Sequence, residues 1–420
     1  MKAHGVGRCG AIAAALVIAA VGARAEGPRA RTGGGAPAAD PQRAETVTLR
    51  DKFRGCIAGS WIGSAMGAVV EGWPREKVVA IYGTLDHLEP YSHYIEYTSW
   101  SRPAGTTEDG IERQKLIATA IIEKKDRILA QDLAAVWRRD LDPERMVYKQ
   151  EPYDRSLFEL LRSGIPATEL GRLSHFGNVI TMARVSHPIG LINAGDPRTA
   201  ADDTFEVGKL YMREIDFGLR WAALYNAGIA EACRPGASVD SVLATMQAHA
   251  DYRAEKGSLF LGAKAEKFSY DTVASQLRRA IAIARESPDV ETLRRRFDEH
   301  YSGGNYITYG LAQANEIVSK GIALFVFNRG DPRAAIVSAV NFGRDTDCLA
   351  AVAGGLCGAL SGAQRLPPEW IDQVDAATRQ DPYTNNRRTI GETADALYEA
   401  FQARQARLAA YVEEMRRDGR

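Results

Sequence analysis

What this chain of 420 residues lacks removes several classes of protein at the outset. It has no surplus of positive charge: 53 Lys and Arg balance 53 Asp and Glu. A nucleic-acid binder would show a basic face, so no nucleic-acid partner is expected. The seven histidines (His4, His87, His93, His175, His187, His249 and His300) form neither a His-Glu-x-x-His pattern nor a close pair. A zinc centre of the usual spacing is therefore absent. There is no Gly-x-Gly-x-x-Gly after a strand, no Walker loop and no Gly-x-Ser-x-Gly elbow. Long alternating strand patterns and repeats of 20–50 residues are missing too. Cysteine is scarce. Beyond Cys9, the four that remain (Cys56, Cys233, Cys348 and Cys357) lie in apolar helical contexts without metal-ligand spacing. They are expected to be unpaired core thiols.

What is present begins with a leader. Residues 1–25 read as a secretory signal, with Lys2 and Arg8 ahead of an apolar stretch, Ala11–Val21, and Ala23-Arg24-Ala25 as the cleavage site. That stretch is too short to span a bilayer, and no later segment is long and apolar enough. Removing Lys2, Arg8 and Arg24, with no acid lost, leaves 50 basic against 53 acidic side chains, a net charge of −3. Residues 26–45, rich in Gly, Pro and Ala, read as a disordered leader. Residues 46–420 read as one all-α domain without an internal linker. The chain is expected to be exported and monomeric.

The domain is organised around Asn341–Gly362. Asp345 and Asp347 stand just ahead of a run in which Leu349, Val352, Leu356 and Leu360 recur at helical spacing. A helix apolar on all sides is buried. Gly354, Gly355 and Gly358 would each cost about 1 kcal/mol against alanine inside a helix, so close helix-helix contact is expected to offset them. Capping the helix N-terminus accounts for one aspartate but hardly both. Thr48 is predicted to cap a helix carrying Phe53 and Ile57, which runs into a glycine-rich segment ending at Glu71. Further helices are predicted over Gly110–Lys125, over 132–137 and over 206–232. Asp196-Pro197 and Asp331-Pro332 each read as an N-cap followed by a first-turn proline. Residues 84–106 read as a long loop whose aromatics are Tyr91, Tyr94, Tyr97 and Trp100. Near the C-terminus, Ala394, Leu397, Phe401, Leu408, Tyr411 and Met415 follow a seven-residue spacing suited to packing on the body or on a partner helix.

Hard oxygen donors concentrate at Thr107-Glu108-Asp109, at Asp345-Thr346-Asp347 and at Glu71. Two acid pairs from distant parts of a chain are what a carboxylate-held magnesium or calcium ion needs. Taken singly, each pair also reads as a plain helix start.

Four segments carry a resemblance: Gly55–Glu71, Thr107-Glu108-Asp109, Met182–Gly190 and Gly343–Gly355. Their order and spacing resemble the ADP-ribosylglycohydrolase family over roughly residues 50–372. The resemblance implies an orthogonal all-α bundle with a central metal-binding cleft. It implies hydrolysis of the glycosidic bond joining ADP-ribose to a protein side chain or small acceptor. Two Mg2+ ions are implied, held by Thr107, Glu108 and Asp109 on one side and by Asp345, Asp347 and Cys348 on the other. Glu71, Asp109 and Asp347 then stand as the catalytic group, while Arg344 and His187 are candidates for substrate contact. The chain departs from the family pattern at Glu108, where aspartate is usual, and at Gly110, where threonine often stands. Arg344 replaces a common glycine, and Ser64 an aspartate. Cys348 replaces a hydroxyl ligand with a soft thiol that suits magnesium poorly, so one ion is expected to be weak or absent. The alternatives are a non-catalytic ADP-ribose-binding or structural relative, or a hydrolase of another N- or O-ribosyl compound.

Overall fold

The structure is a computed structural model that describes residues 47–92, 101–142, 152–253, 272–301 and 312–418. The signal and leader expectations, and Tyr94, Tyr97 and Trp100, lie outside the described residues. Among those residues there are eighteen α-helices and no strand, only isolated bridges such as Tyr91–Arg102 and Val179–Gln313. The fold is all-α, as the periodicity predicted.

Two helices form its axis. The opening helix, Leu49–Gly67, starts at Thr48, whose hydroxyl accepts from the Asp51 N–H. It carries Gly55, Gly59, Gly63 and Gly67 at four-residue intervals, a single stripe on one face. The core helix, Thr346–Ser361, runs antiparallel along that stripe. Gly55 lies against Gly358, Gly59 against Gly354, Gly63 against Ala350 and Gly67 against Asp347. A Cβ on any of the four would collide with backbone of the core helix. These glycines, with Gly354 and Gly358 of the core helix, thus exchange helix propensity for backbone contact, whereas Gly355 lies against the His187 ring. The hydroxyl of Thr346 donates to the Gly67 carbonyl at 2.8 Å and fixes the register. Around this pair Phe53, Ile57, Trp61, Leu349, Val352 and Leu356 are buried, while Leu360 is only partly covered.

The other helices surround the axis. Asp196 and Asp331 cap Pro197–Gly208 and Pro332–Val340 by accepting from the Thr199 and Ala334 N–H groups. Lys52, buried on the opening helix, donates to the Ala232 and Arg234 carbonyls at 2.7 and 3.0 Å. Its charge thereby sits at the negative end of the helix Phe217–Ala232. The single helix predicted over 206–232 is in fact two, Pro197–Gly208 and Phe217–Ala232. The break follows from Asp216, which accepts from the Arg213 backbone and guanidinium instead of continuing a helix. The C-terminal helix, Ile390–Asp418, buries Ala394 and Leu397, but Leu408, Tyr411 and Met415 farther along are exposed. All four cysteines outside the leader are buried free thiols.

Candidate active site

The N-terminus of the core helix is also where the acids gather. Asp345 is its N-cap, with Oδ1 accepting from the Cys348 N–H at 3.4 Å. Capping therefore explains Asp345. Asp347, one residue into the helix, has another role: it is fully buried and ion-paired to Arg184. The second oxygen of Asp347, Oδ1, is buried without a hydrogen-bond donor. Ligand atoms of Asp345, Asp347 and Cys348 lie within 4.8 Å of one another.

Backbone hydrogen bonds hold Glu71 beside this group. The Gly72 N–H donates to the Arg344 carbonyl at 2.7 Å, and the Arg344 N–H donates to the Trp73 carbonyl at 2.8 Å. This clamp joins the end of the opening-helix segment to the turn before Asp345. Glu71 is partly exposed, and burial of its carboxyl pushes its pKa well above the usual range. The neighbouring charges of Asp347, Glu108 and Asp345 push in the same direction. Asp347 is raised as well, by burial first, against the pull of Arg184.

The third strand of chain arrives with the helix Asp109–Lys124. Asp109 is ion-paired to Arg184 Nη1 at 2.9 Å and to Arg113 Nη2 at 2.6 Å. Arg113 is shared with the buried Asp154. Glu108 is buried just before the helix. Its Oε1 accepts from Arg102 Nη1 at 2.8 Å and from the Tyr91 hydroxyl at 2.5 Å. The Glu108 N–H donates to Ser64 Oγ at 3.3 Å, which gives that serine a structural role in the glycine-rich segment. Thr107 is buried in the same turn. Five carboxylates from three distant segments (Glu71, Glu108, Asp109, Asp345 and Asp347) are therefore brought into one electrostatic neighbourhood.

The residue that sequence reasoning missed is Arg184. It lies within Thr181–Val185, a helix of five buried residues, and its guanidinium joins Asp109 to Asp347. The available signal was an arginine inside an otherwise uncharged stretch, Asn178–Asn193.

His187 requires a correction. The expectation of substrate contact fails because the ring is completely buried and both nitrogens are engaged. The bonding pattern fixes its state. Trp61 Nε1 can only donate, and it does so to Gln114 Oε1 at 2.8 Å. The Gln114 amide nitrogen therefore faces His187 Nδ1 at 3.0 Å and donates to it. Nε2 carries the hydrogen and faces the Tyr225 hydroxyl at 2.9 Å, which donates in turn to the Val352 carbonyl at 2.7 Å. Burial pulls the histidine pKa down to about 4. His187 is a neutral core residue joining four helices.

Arg344 stands at the rim, with its side chain 39% exposed, in the left-handed region at φ 69°. It pairs with Glu316 through Nε at 2.8 Å and Nη2 at 3.2 Å.

The donor chemistry suits a hard divalent cation. Carboxylate oxygens dominate, and the orphaned Oδ1 of Asp347 has no proton donor to satisfy it. The thiol of Cys348 is the poor member, since burial pushes its pKa well up and keeps it protonated.

Fold and site together define a helical protein built around a buried carboxylate cluster. The family profile described as ADP-ribosylglycohydrolase matches residues 45–407. The chain belongs to that family, whose members depend on metal and act on ADP-ribosylated substrates, and it is a glycosidic-bond hydrolase. The uncharacterized protein YegU of Escherichia coli (strain K12) is 24% identical over 340 residues, covering 79% of this chain and 94% of YegU. The ADP-ribosylhydrolase ARH3 of Gallus gallus is 22% identical over 365 residues, covering 80% and 92% respectively. A solved structure titled "ADP-ribosylglycohydrolase-related protein complex" aligns with a TM-score of 0.57 at 17% identity. It covers 84% of this chain and 99% of that one, and the likeness speaks for the fold alone.

Proposed function

We propose that this protein hydrolyses the ribosyl bond linking ADP-ribose to a modified protein side chain or small acceptor, with Mg2+ as its ion. The observation that carries this reading is the meeting of Asp345 and Asp347 with Glu71 and Asp109, within a chain whose family match runs over residues 45–407. Asp345 and Asp347 would hold the ion, with Asp109 facing Asp347 across the cluster. Bound there, a divalent cation lowers the pKa of a coordinated water and fixes vicinal hydroxyls of a sugar.

The chain's own residues do the rest. Glu71 is held at the edge of the cluster with a carboxyl that releases its proton reluctantly. It can donate that proton to the leaving group, or, once ionised, accept one from water. The surrounding carboxylates stabilise the positive charge that develops on the ribose as the bond breaks. Arg344, half-exposed at the rim, offers a planar guanidinium to the diphosphate if it releases Glu316. Export through residues 1–25 belongs to the same proposal, supported by the charge and apolar pattern of that segment.

A second reading, a binder of ADP-ribose without turnover, is favoured by one observation: Cys348 brings a protonated thiol where an oxygen ligand would serve better. The deciding assay follows release of ADP-ribose from serine- and arginine-modified peptides and from small ADP-ribosyl conjugates with Mg2+ present. Hydrolysis lost in Asp345→Asn and Asp347→Asn supports the enzyme. Calorimetric binding of ADP-ribose without turnover supports the binder.

A further inference from the structure

Arg184 lies where its presence needs an explanation. A buried guanidinium requires countercharge, and Arg184 receives it from two elements far apart in sequence: Nη1 pairs with Asp109 and Nη2 with Asp347, while Nε has no hydrogen-bond partner among the described residues. Asp109 opens the helix Asp109–Lys124, and Asp347 stands in the first turn of the core helix. One guanidinium therefore neutralises an acid from each of the two segments.

Room for it has been made in the chain. Gly110 sits in the first turn of its helix, and glycine is a poorer helix former than alanine. No positive φ demands glycine at this position. What does demand it is Arg184: a Cβ on Gly110 would fall onto Nε, Cδ and Cζ of that side chain, far inside van der Waals contact. The missing side chain at 110 and the guanidinium at 184 are two halves of one feature. The other oxygen of the Asp347 carboxylate, Oδ1, has no hydrogen-bond partner among the described residues, and an oxygen of Asp347 lies within 4.8 Å of ligand atoms of Asp345 and Cys348.

We infer that Arg184 is a built-in cation occupying the position between Asp109 and Asp347, so that this chain binds one divalent ion, on the Asp345–Asp347 side, in place of two. The inference rests on the reading of the cluster as a divalent-cation site. A second ion bridging Asp109 and Asp347 would have to displace a guanidinium whose charge already serves both carboxylates. Gly110 is then the residue that permits the exchange, and the Arg184–Asp109 pair the bond that maintains it.

Mn2+ serves as the probe. The full chain, stripped with chelator, is titrated with Mn2+, and bound ion per chain is counted by equilibrium dialysis and by electron paramagnetic resonance. One ion is expected for the unaltered chain, with a spectrum free of Mn–Mn coupling. Two are expected for Arg184→Ala and Arg184→Gln, with a coupled spectrum. Gly110→Ala, which adds one methyl group and pushes the guanidinium aside, is expected to admit the second ion as well. Circular dichroism selects the variants that remain folded. Two ions or none in the unaltered chain overturn the inference, and so does a count of one in every folded variant. The count is independent of turnover. A chain that binds one Mn2+ and releases no ADP-ribose refutes the hydrolase proposal and leaves this inference standing.

Discussion

Gly59 and Gly354 meet backbone to backbone, each lying where the other's side chain would be. A Cβ on Gly59 would collide with the carbonyl of Gly354, and one on Gly354 would crowd the carbonyl of Gly59. Ordinary reasoning about helices favours alanine at both positions by about 1 kcal/mol. Here the contact reverses the sign, because backbone cannot rotate away as a flexible side chain can. Gly59→Ala is expected to destabilise the protein by about 2 kcal/mol, within the range for overpacking a close contact. Gly391→Ala, where nothing lies within 4 Å of the added methyl, serves as the control and is expected to be neutral or slightly stabilising. Urea unfolding of both variants checks the contrast.

The neutral state of His187 makes a prediction about pH. In the unfolded chain a histidine titrates near its ordinary value of about 6.5. In the folded chain burial holds it down at about 4. Between those two pH values the unfolded state binds the extra proton, so stability rises with pH through the window. The contribution is fully present above the unfolded pKa and is lost as pH falls toward 4, a change of about 3 kcal/mol. His187→Gln removes the titration, and its stability, compared with the unaltered chain at pH 7 and pH 4.5, should show a smaller acid loss. Equal acid losses in the two proteins would contradict the assignment.

Gly354 and His187 also mark what could be seen in the sequence. The core helix, its glycine contacts and the Asp345 cap follow from local pattern: apolar spacing, small residues and an acid before the first turn. Thr48, Asp196 and Asp331 were legible for the same reason. The break between Gly208 and Phe217 was not, because Ala200, Phe205, Leu219 and Ala222 keep an apolar rhythm across a turn made by a side chain. Nor was the state of His187, which depends on Trp61, Gln114, Tyr225 and Val352 arriving from four other places. Arg184 stayed hidden on similar grounds. Its partners are 75 and 163 positions away, and nothing adjacent to it announces them.

Arg102 and Glu108 form a pair whose loss should be lopsided. Their side chains are 8% and 4% exposed, and the Tyr91 hydroxyl donates to the same carboxylate oxygen. Arg102→Met leaves Glu108 buried with its main countercharge gone, an effect of about 3–5 kcal/mol for such pairs. Glu108→Gln added to Arg102→Met is expected to recover part of that loss, because the remaining group no longer carries charge. A double-mutant cycle from denaturant unfolding measures the coupling. Additive effects of the two changes would show that the pair is not a stabilising unit.

Glu71 carries the sharpest prediction about chemistry. It stands at the junction of the glycine-rich segment and the turn before Asp345, held there by backbone hydrogen bonds that do not involve its side chain. Glu71→Gln therefore preserves the clamp while removing the titrating group, and folding should be little affected. If the carboxyl acts in proton transfer, the variant should lose about 10²–10⁴-fold in kcat, the range typical of a positioned acid or base. KM and calorimetric affinity for ADP-ribose should change much less, because the substitution leaves an amide of nearly the same shape. Glu71→Asp, one methylene shorter, should recover part of the rate, since the function lies in the carboxyl and its reach. A loss that appears wholly in KM would make Glu71 a binding residue. Unchanged kinetics would remove it from the reaction and pass the role to the carboxylates around Asp347.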